Sequence, residues 1–268
     1  MSVNFKRTRR IIAILLCIAF VFAFPMTAGA ATKKPVHVLT SIKITEYTED
    51  GELYYSQKFT YDKDGFVAKE SYKGPDGWTA KSTFKYGKSN KLKQRTDKFY
   101  YNGDYNSTYK SKFTLNSSGY FAERKDYDPD GKVTFTKKVT LNKKNLPAKV
   151  RDYNEKGELT EVRKYKYNSD DKRAVRKKYD ADGNLKFTEK YSYEGNKGKI
   201  SITDADGNLV ETDIYKYASD GRVLSIKVYD ETKGHQLLYK YVYKYKEVKT
   251  AKAKKVNVQQ SKLADLMY

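Results

Sequence analysis

The sequence predicts an all-β protein, with tandem antiparallel β-hairpin repeats forming one long curled or coiled meander sheet of roughly 15 strands. Three observations predict it. Asp-Gly recurs at 50–51, 64–65, 76–77, 130–131, 182–183, 206–207 and 220–221, and neighbouring turns stand mostly 12 to 14 residues apart. Two turns make a longer unit, since Gly131, Gly157 and Gly183 are 26 residues apart, as are Tyr127, Tyr153 and Tyr179. Between turns the side chains alternate with the period of a strand: Leu185, Phe187, Glu189, Tyr191 and Tyr193 share one face, and Lys186, Thr188, Lys190 and Ser192 the other. Connections this short allow only antiparallel neighbours.

The chain opens on Lys6, Arg7, Arg9 and Arg10, then an apolar run of 14 residues from Ile11 to Phe24, stopped by Pro25 and followed by Ala28-Gly29-Ala30. A basic start, a short apolar stretch and a small-x-small site read as a secretory signal peptide, residues 1–30, cleaved after Ala30. A membrane-spanning helix needs about 20 apolar residues, more than this run holds. Residues 31–45 form an N-terminal lead, 46–247 the repeat domain, and 248–268 a basic C-terminal tail whose last residues, SKLADLMY, suit a short helix.

Within the repeat, one strand type ends in a pair of aromatic or aliphatic residues and the other in a single Tyr before a turn. Phe113/Leu115, Val139/Leu141, Tyr165/Tyr167 and Tyr191/Tyr193 recur at the 26-residue step, and the pair returns as Tyr215/Tyr217 and Tyr241/Tyr243. The turns explain their own composition. In Tyr179-Asp-Ala-Asp-Gly183 the first Asp accepts a hydrogen bond from the backbone beyond it, and Gly183 takes the left-handed conformation that closes the hairpin. Pro129 pre-sets φ in the matching turn at 127–131. So long a sheet must curl onto itself, wind into a coil or stay single-layered with a half-wet tyrosine face. A closed barrel is possible, but near-identical repeats more often make an open elongated stack.

Removing the leader takes four basic residues from the 54, leaving 50 against 33 acids, a net charge of +17. It also removes Cys17, the sole cysteine, so the mature chain has neither disulfides nor thiol chemistry. Scarce aliphatics and high charge would suggest disorder, but 26 tyrosines, all after residue 30, supply apolar area in a strict period.

YDADGNL (179–185), YDPDGKV (127–133), YDKDGFV (61–67) and TDADGNL (203–209) resemble the YD, or Rhs-type, repeat, with YNEKGEL (153–159) and YASDGRV (217–223) as weaker copies. The resemblance runs from about residue 46 to 246. It implies β-sheet shells or coiled sheets in exported and cell-surface proteins. The unit here is longer than usual, and no core or toxin segment follows it.

Catalysis is not expected. His37 and His235 are far apart in sequence, and no phosphate loop or nucleophile elbow is present. Asp-x-Asp-Gly opens like a calcium loop, but Gly131 is followed by Lys-Val-Thr-Phe-Thr-Lys without the acid such a loop needs. No metal or cofactor is expected. Lys and Arg are placed opposite the tyrosines, as with Lys164/Lys166 and Arg176/Lys178. Tyr165, Tyr167, Tyr191, Tyr193, Tyr215, Tyr217, Tyr241 and Tyr243 are the candidate ligand-facing residues, with Trp78 as a further exposed ring. The expected function is that of a secreted, non-enzymatic binding module, extracellular or cell-wall associated in a bacterium. Its expected partner is cell-wall anionic polymer or polysaccharide rather than nucleic acid. The alternative is a purely structural repeat or a remnant of a larger Rhs-like protein.

Overall fold

The computed structural model describes residues 34–87, 90–116, 120–253 and 255–256. The leader with its cleavage site at Ala30, and the helix expected at 261–268, lie outside the described residues. Sixteen strands follow one another among those described. They are β1 (Lys34–Thr48), β2 (Gly51–Tyr61), β3 (Val67–Lys73), β4 (Trp78–Tyr86), β5 (Leu92–Tyr101) and β6 (Asp104–Leu115). Next come β7 (Phe121–Tyr127), β8 (Val133–Leu141), β9 (Pro147–Tyr153), β10 (Leu159–Tyr167) and β11 (Arg173–Asp180). The last are β12 (Leu185–Glu194), β13 (Lys197–Thr203), β14 (Leu209–Tyr217), β15 (Val223–Asp230) and β16 (Gln236–Thr250).

Each strand pairs antiparallel with the next, and β1 pairs with β16 from Lys34↔Thr250 to Glu46↔Tyr239, so the meander closes into a barrel. Of the open, coiled and closed forms that the repeats allow, the sheet takes the closed one, not the open stack that the repeats favour. The strand that closes it comes largely from residues 31–45, set aside as a lead, and β16 extends to Thr250, past the start of the supposed tail. A twisted sheet of this many strands must curl. Closure then covers the tyrosine face with the sheet itself and leaves no strand edge unpaired.

The turn chemistry is as the sequence indicates. Asp180 N–H donates to Asn184 O, Gly183 N–H donates to Asp180 O, and the Asp180 carboxylate accepts from Asn184 N–H at 2.8 Å. The same set recurs at Asp62, Asp128, Asn154 and Asp204. Gly183 stands at φ 88°, and where the turn has no glycine Asn145 (φ 59°) and Asp171 (φ 61°) take the left-handed place. Beside most turns one residue is bulged, as between Lys166 and Tyr167 and between Lys178 and Tyr179. The bulge adds local twist.

The inner wall of β14–β16 and β1–β3 holds the largest apolar cluster, including Tyr215, Ile226, Tyr241, Ile44, Tyr55 and Tyr72. A second cluster stands where β1 begins and β16 ends, beside the Asp62–Phe66 turn. There a helical turn after β16 lays Ala253 and Val256 on Val36, Val38 and Phe66. Thr250 Oγ1 donates to Asp64 O at 2.8 Å, and Lys252 Nζ meets Asp64 Oδ2 at 2.6 Å.

Candidate functional site

The eight singled-out tyrosines all belong to the inner wall. Tyr215, Tyr217, Tyr241 and Tyr243 are buried, and Tyr165, Tyr167, Tyr191 and Tyr193 are half-buried. The second tyrosine of a pair has a repeated structural task. Tyr167 Oη donates to Pro147 O at 2.8 Å, and Tyr193 Oη to Arg173 O at 3.1 Å. Tyr86 does the same to Val67 O, and Tyr245, two residues past the Tyr241/Tyr243 pair, to Val223 O. Each bond ties the later part of one strand to the first residue of its predecessor, next to a bulge. Phenylalanine could not do this, which accounts for a tyrosine at these positions.

Around the mid-height of the inner wall runs a belt of acids and arginines that sequence reasoning missed. Arg95 bonds Asp97 at 2.6 Å, and Arg124 grips Asp126 through Nε at 2.7 Å and Nη2 at 2.6 Å. Arg163 is paired with Asp152 and with Glu161, the latter at 3.0 Å, and Arg176 with Glu189. Arg173 lies over the Tyr165 and Tyr191 rings at 4.6 and 5.6 Å. Arg176 and Lys178 were expected on the solvent face with Lys164. They point inward instead, Arg176 opposite Tyr165 and Glu189, and Lys178 bonded to Glu161. The belt turns acidic at β12–β14. Burial raises the pKa of the Asp213 carboxyl well above the usual range, and the charges of Glu211 and Glu189 raise it further, against the pull of Arg176.

The outer wall is cationic. Lys149 on β9 stands directly opposite Lys164 on β10, and Lys164 opposite Lys177 on β11. Lys138, Arg151 and Lys166 flank this row, and the outward positions of β9, β10 and β11 hold no acid. Desolvation lowers the Lys149 pKa, with the charges of Arg151 and Lys164 adding to it. Outward tyrosines hold some of these cations. Lys112, Lys138 and Lys164, at the 26-residue step, sit over the rings of Tyr127, Tyr153 and Tyr179 at 4.6, 5.3 and 4.6 Å. The single Tyr of each repeat therefore faces outward, and the paired ones inward.

The histidines stand at opposite ends of the barrel, His37 3.5 Å from Asp220 and His235 stacked on Tyr229 with Nδ1 2.8 Å from Glu231. Trp78 is half-buried and packs against Tyr101 at 5.1 Å between ring centres. Among the described residues no group of three or more His, Cys, Asp or Glu side chains is placed to hold a metal ion. No described helix is long and apolar enough to cross a membrane, which says nothing of strands.

No protein-family model and no curated protein matches the chain. Among solved structures it is similar to a porin-like protein from Bacteroides uniformis (TM-score 0.42, 12% identity, 78% of this chain and 96% of that one). A porin-like protein from Bacteroides vulgatus matches at TM-score 0.37 and 11% identity over 76% of this chain and 97% of that one. The Tc holotoxin pore of Photorhabdus luminescens matches at TM-score 0.24 and 8% identity, over 70% of this chain and 14% of the other. Likenesses this distant carry no statement about what the barrel does.

Proposed function

We propose that the protein is an exported, non-catalytic barrel that binds anionic cell-envelope polymer through its outer wall. The observation that carries this is the row Lys149–Lys164–Lys177, three like charges set directly opposite one another with no acid on the same face of those strands. Opposed like charges destabilise a sheet, and a bound polyanion turns that repulsion into attraction. The signal-like leader and the net charge of +17 after it support a surface role, as does the similarity of the turns to YD repeats. An outer wall of lysines is also the inverse of a membrane barrel, whose lipid-facing side is apolar.

The test is sedimentation with isolated cell walls, with and without their phosphate-rich polymer, across a salt series. Screening shortens from about 8 Å at physiological ionic strength to about 3 Å at 1 M salt, so binding should fall steeply with salt and with polymer removal. Changing Lys149, Lys164 and Lys177 together to Gln should weaken binding roughly tenfold and, in buffer alone, raise the melting temperature. Binding that ignores salt, polymer and the triple change would eliminate the proposal.

A further inference from the structure

We propose that a concavity on the outer wall, where β1, β2 and β16 meet near the Thr48–Gly51 turn, binds a sugar ring that carries an anionic group, as in an acidic oligosaccharide. The concavity measures about 900 Å3 and is lined by Lys43, Tyr47, Tyr54, Lys73, Lys240 and Val242 among others. Its volume falls within the roughly 300–1,000 Å3 of small-ligand sites. The register places these side chains on one face: Lys43 lies opposite Val242 and Ser56, Thr45 opposite Lys240 and Tyr54, and Ser56 opposite Lys73. The alternate residues Ile42, Ile44, Tyr55 and Tyr241 are buried on the inner side.

Two features define the ligand. Tyr54 is 64% exposed, yet its hydroxyl donates to Glu52 Oε2 at 2.6 Å, so an open aromatic face is held in place rather than left to rotate. A fixed ring with a polar edge suits the apolar face of a sugar. Around it stand the ammonium groups of Lys43, Lys73 and Lys240, none of which has an ion-pair or hydrogen-bond partner among the described residues. Glu52 is the acid of the lining, and its charge is engaged by Tyr54 and outnumbered by the lysines. A neutral sugar would use the ring and leave the cations idle. An inorganic anion would use the cations and leave the ring idle. A sugar with a carboxylate or phosphate uses both.

This inference deepens the outer-wall reading, but it does not use the Lys149–Lys164–Lys177 row on β9–β11. The experiment titrates the purified protein, by calorimetry, with an oligogalacturonate, a neutral oligosaccharide of equal length, and inorganic polyphosphate. The uronate should bind at one saturable site and the neutral sugar at least roughly tenfold more weakly. Tyr54→Ala and the double change Lys43→Gln/Lys240→Gln should each lower uronate affinity roughly tenfold, and Tyr54→Phe, which keeps the ring, less. Tyr54→Ala should leave polyphosphate binding unchanged, whereas the triple lysine change on β9–β11 should weaken polyphosphate and spare the uronate site. Circular dichroism of each variant confirms that the barrel is intact. Absence of saturable uronate binding, or uronate binding indifferent to Tyr54 and the two lysines, overturns the site. Absence of polyphosphate binding beside an intact, Tyr54-dependent uronate site instead overturns the distributed outer-wall reading.

Discussion

At the scale of single residues the repeat depends on backbone positions that only a few side chains tolerate. Gly183 stands at φ 88°, and a Cβ added there meets nothing within 4 Å. The cost of substitution is therefore conformational, not steric crowding. Gly183→Val should destabilise by roughly 1–2 kcal/mol or more, because a β-branched residue is strained at positive φ. Lys186→Val, which removes an exposed pair with Asp180 at 2.9 Å, should change stability little. Denaturant midpoints of the two variants check this, and equal effects would contradict the turn assignment. Asp213 makes the opposite kind of demand. It is 4% exposed, and Oδ1 has no hydrogen-bond partner among the described residues. Its pKa is raised in the folded state, first by burial and then by Glu211 and Glu189, with Arg176 opposing. The folded state thus holds this proton more tightly than the unfolded chain does. The associated stability is present below the ordinary carboxylate range and is lost as pH rises through the raised value. Asp213→Asn should accordingly melt higher than the parent at about pH 8 and show a smaller fall between about pH 4 and pH 8. A variant that melts lower than the parent at the alkaline end would refute the buried-charge account.

At the scale of strands and hairpins, the tyrosine-to-carbonyl bonds set how one hairpin is fastened to the next. Tyr193→Phe removes the bond to Arg173 O with no change of ring volume and should cost about 1 kcal/mol. Tyr167→Phe should cost a similar amount, and the double variant should be nearly additive, since the two bonds serve different strand pairs. Urea titrations of the three variants measure this, and a neutral double variant would leave the hydroxyls without the structural task assigned to them. The hairpins themselves were legible because Asp180, Gly183 and their equivalents act within five residues of one another, where sequence spacing is spatial spacing. The inner charged belt was not legible. Period two assigns faces within a strand, but it does not say which face is inward. Tyr179 faces out and Tyr165 faces in, so treating tyrosine as one class put Arg176 and Lys178 outside. The outward placement of Lys164 was readable because its strand ends in the inward pair Tyr165/Tyr167. The concavity at Tyr54 was not readable, for it needs β16 beside β1, a pairing of residues some two hundred positions apart.

At the scale of the whole molecule, closure separates this barrel from an open repeat array. In an open meander β1 and β16 would be edges, each with a row of backbone groups facing water, and the two edges would invite pairing with other chains. Here β1 pairs with β2 on one side and β16 on the other, through a bulge between Leu39 and Ser41. Because the closing strands come from the two ends of the described chain, their contacts are the most non-local in the fold. Loop-closure entropy must be met before they form, so they should be late and slow to assemble. Once formed, they should open no more readily than the middle of the sheet. Native-state hydrogen exchange resolves this strand by strand. Amides of Ile42 and Ile44 on β1, and of Tyr241 and Tyr243 on β16, should be protected to the same order as those of Val139 on β8 and Val150 on β9. Ser41→Pro at the bulged seam should selectively lower protection along β1 and β16 while β8 and β9 exchange as before, because proline removes a ladder donor and the middle hairpins hold their own registers. If β1 and β16 exchange orders of magnitude faster than β8 and β9 in the unaltered protein, the ends are frayed edges in solution. The concavity formed by β1, β2 and β16 would then not be a standing feature of the molecule.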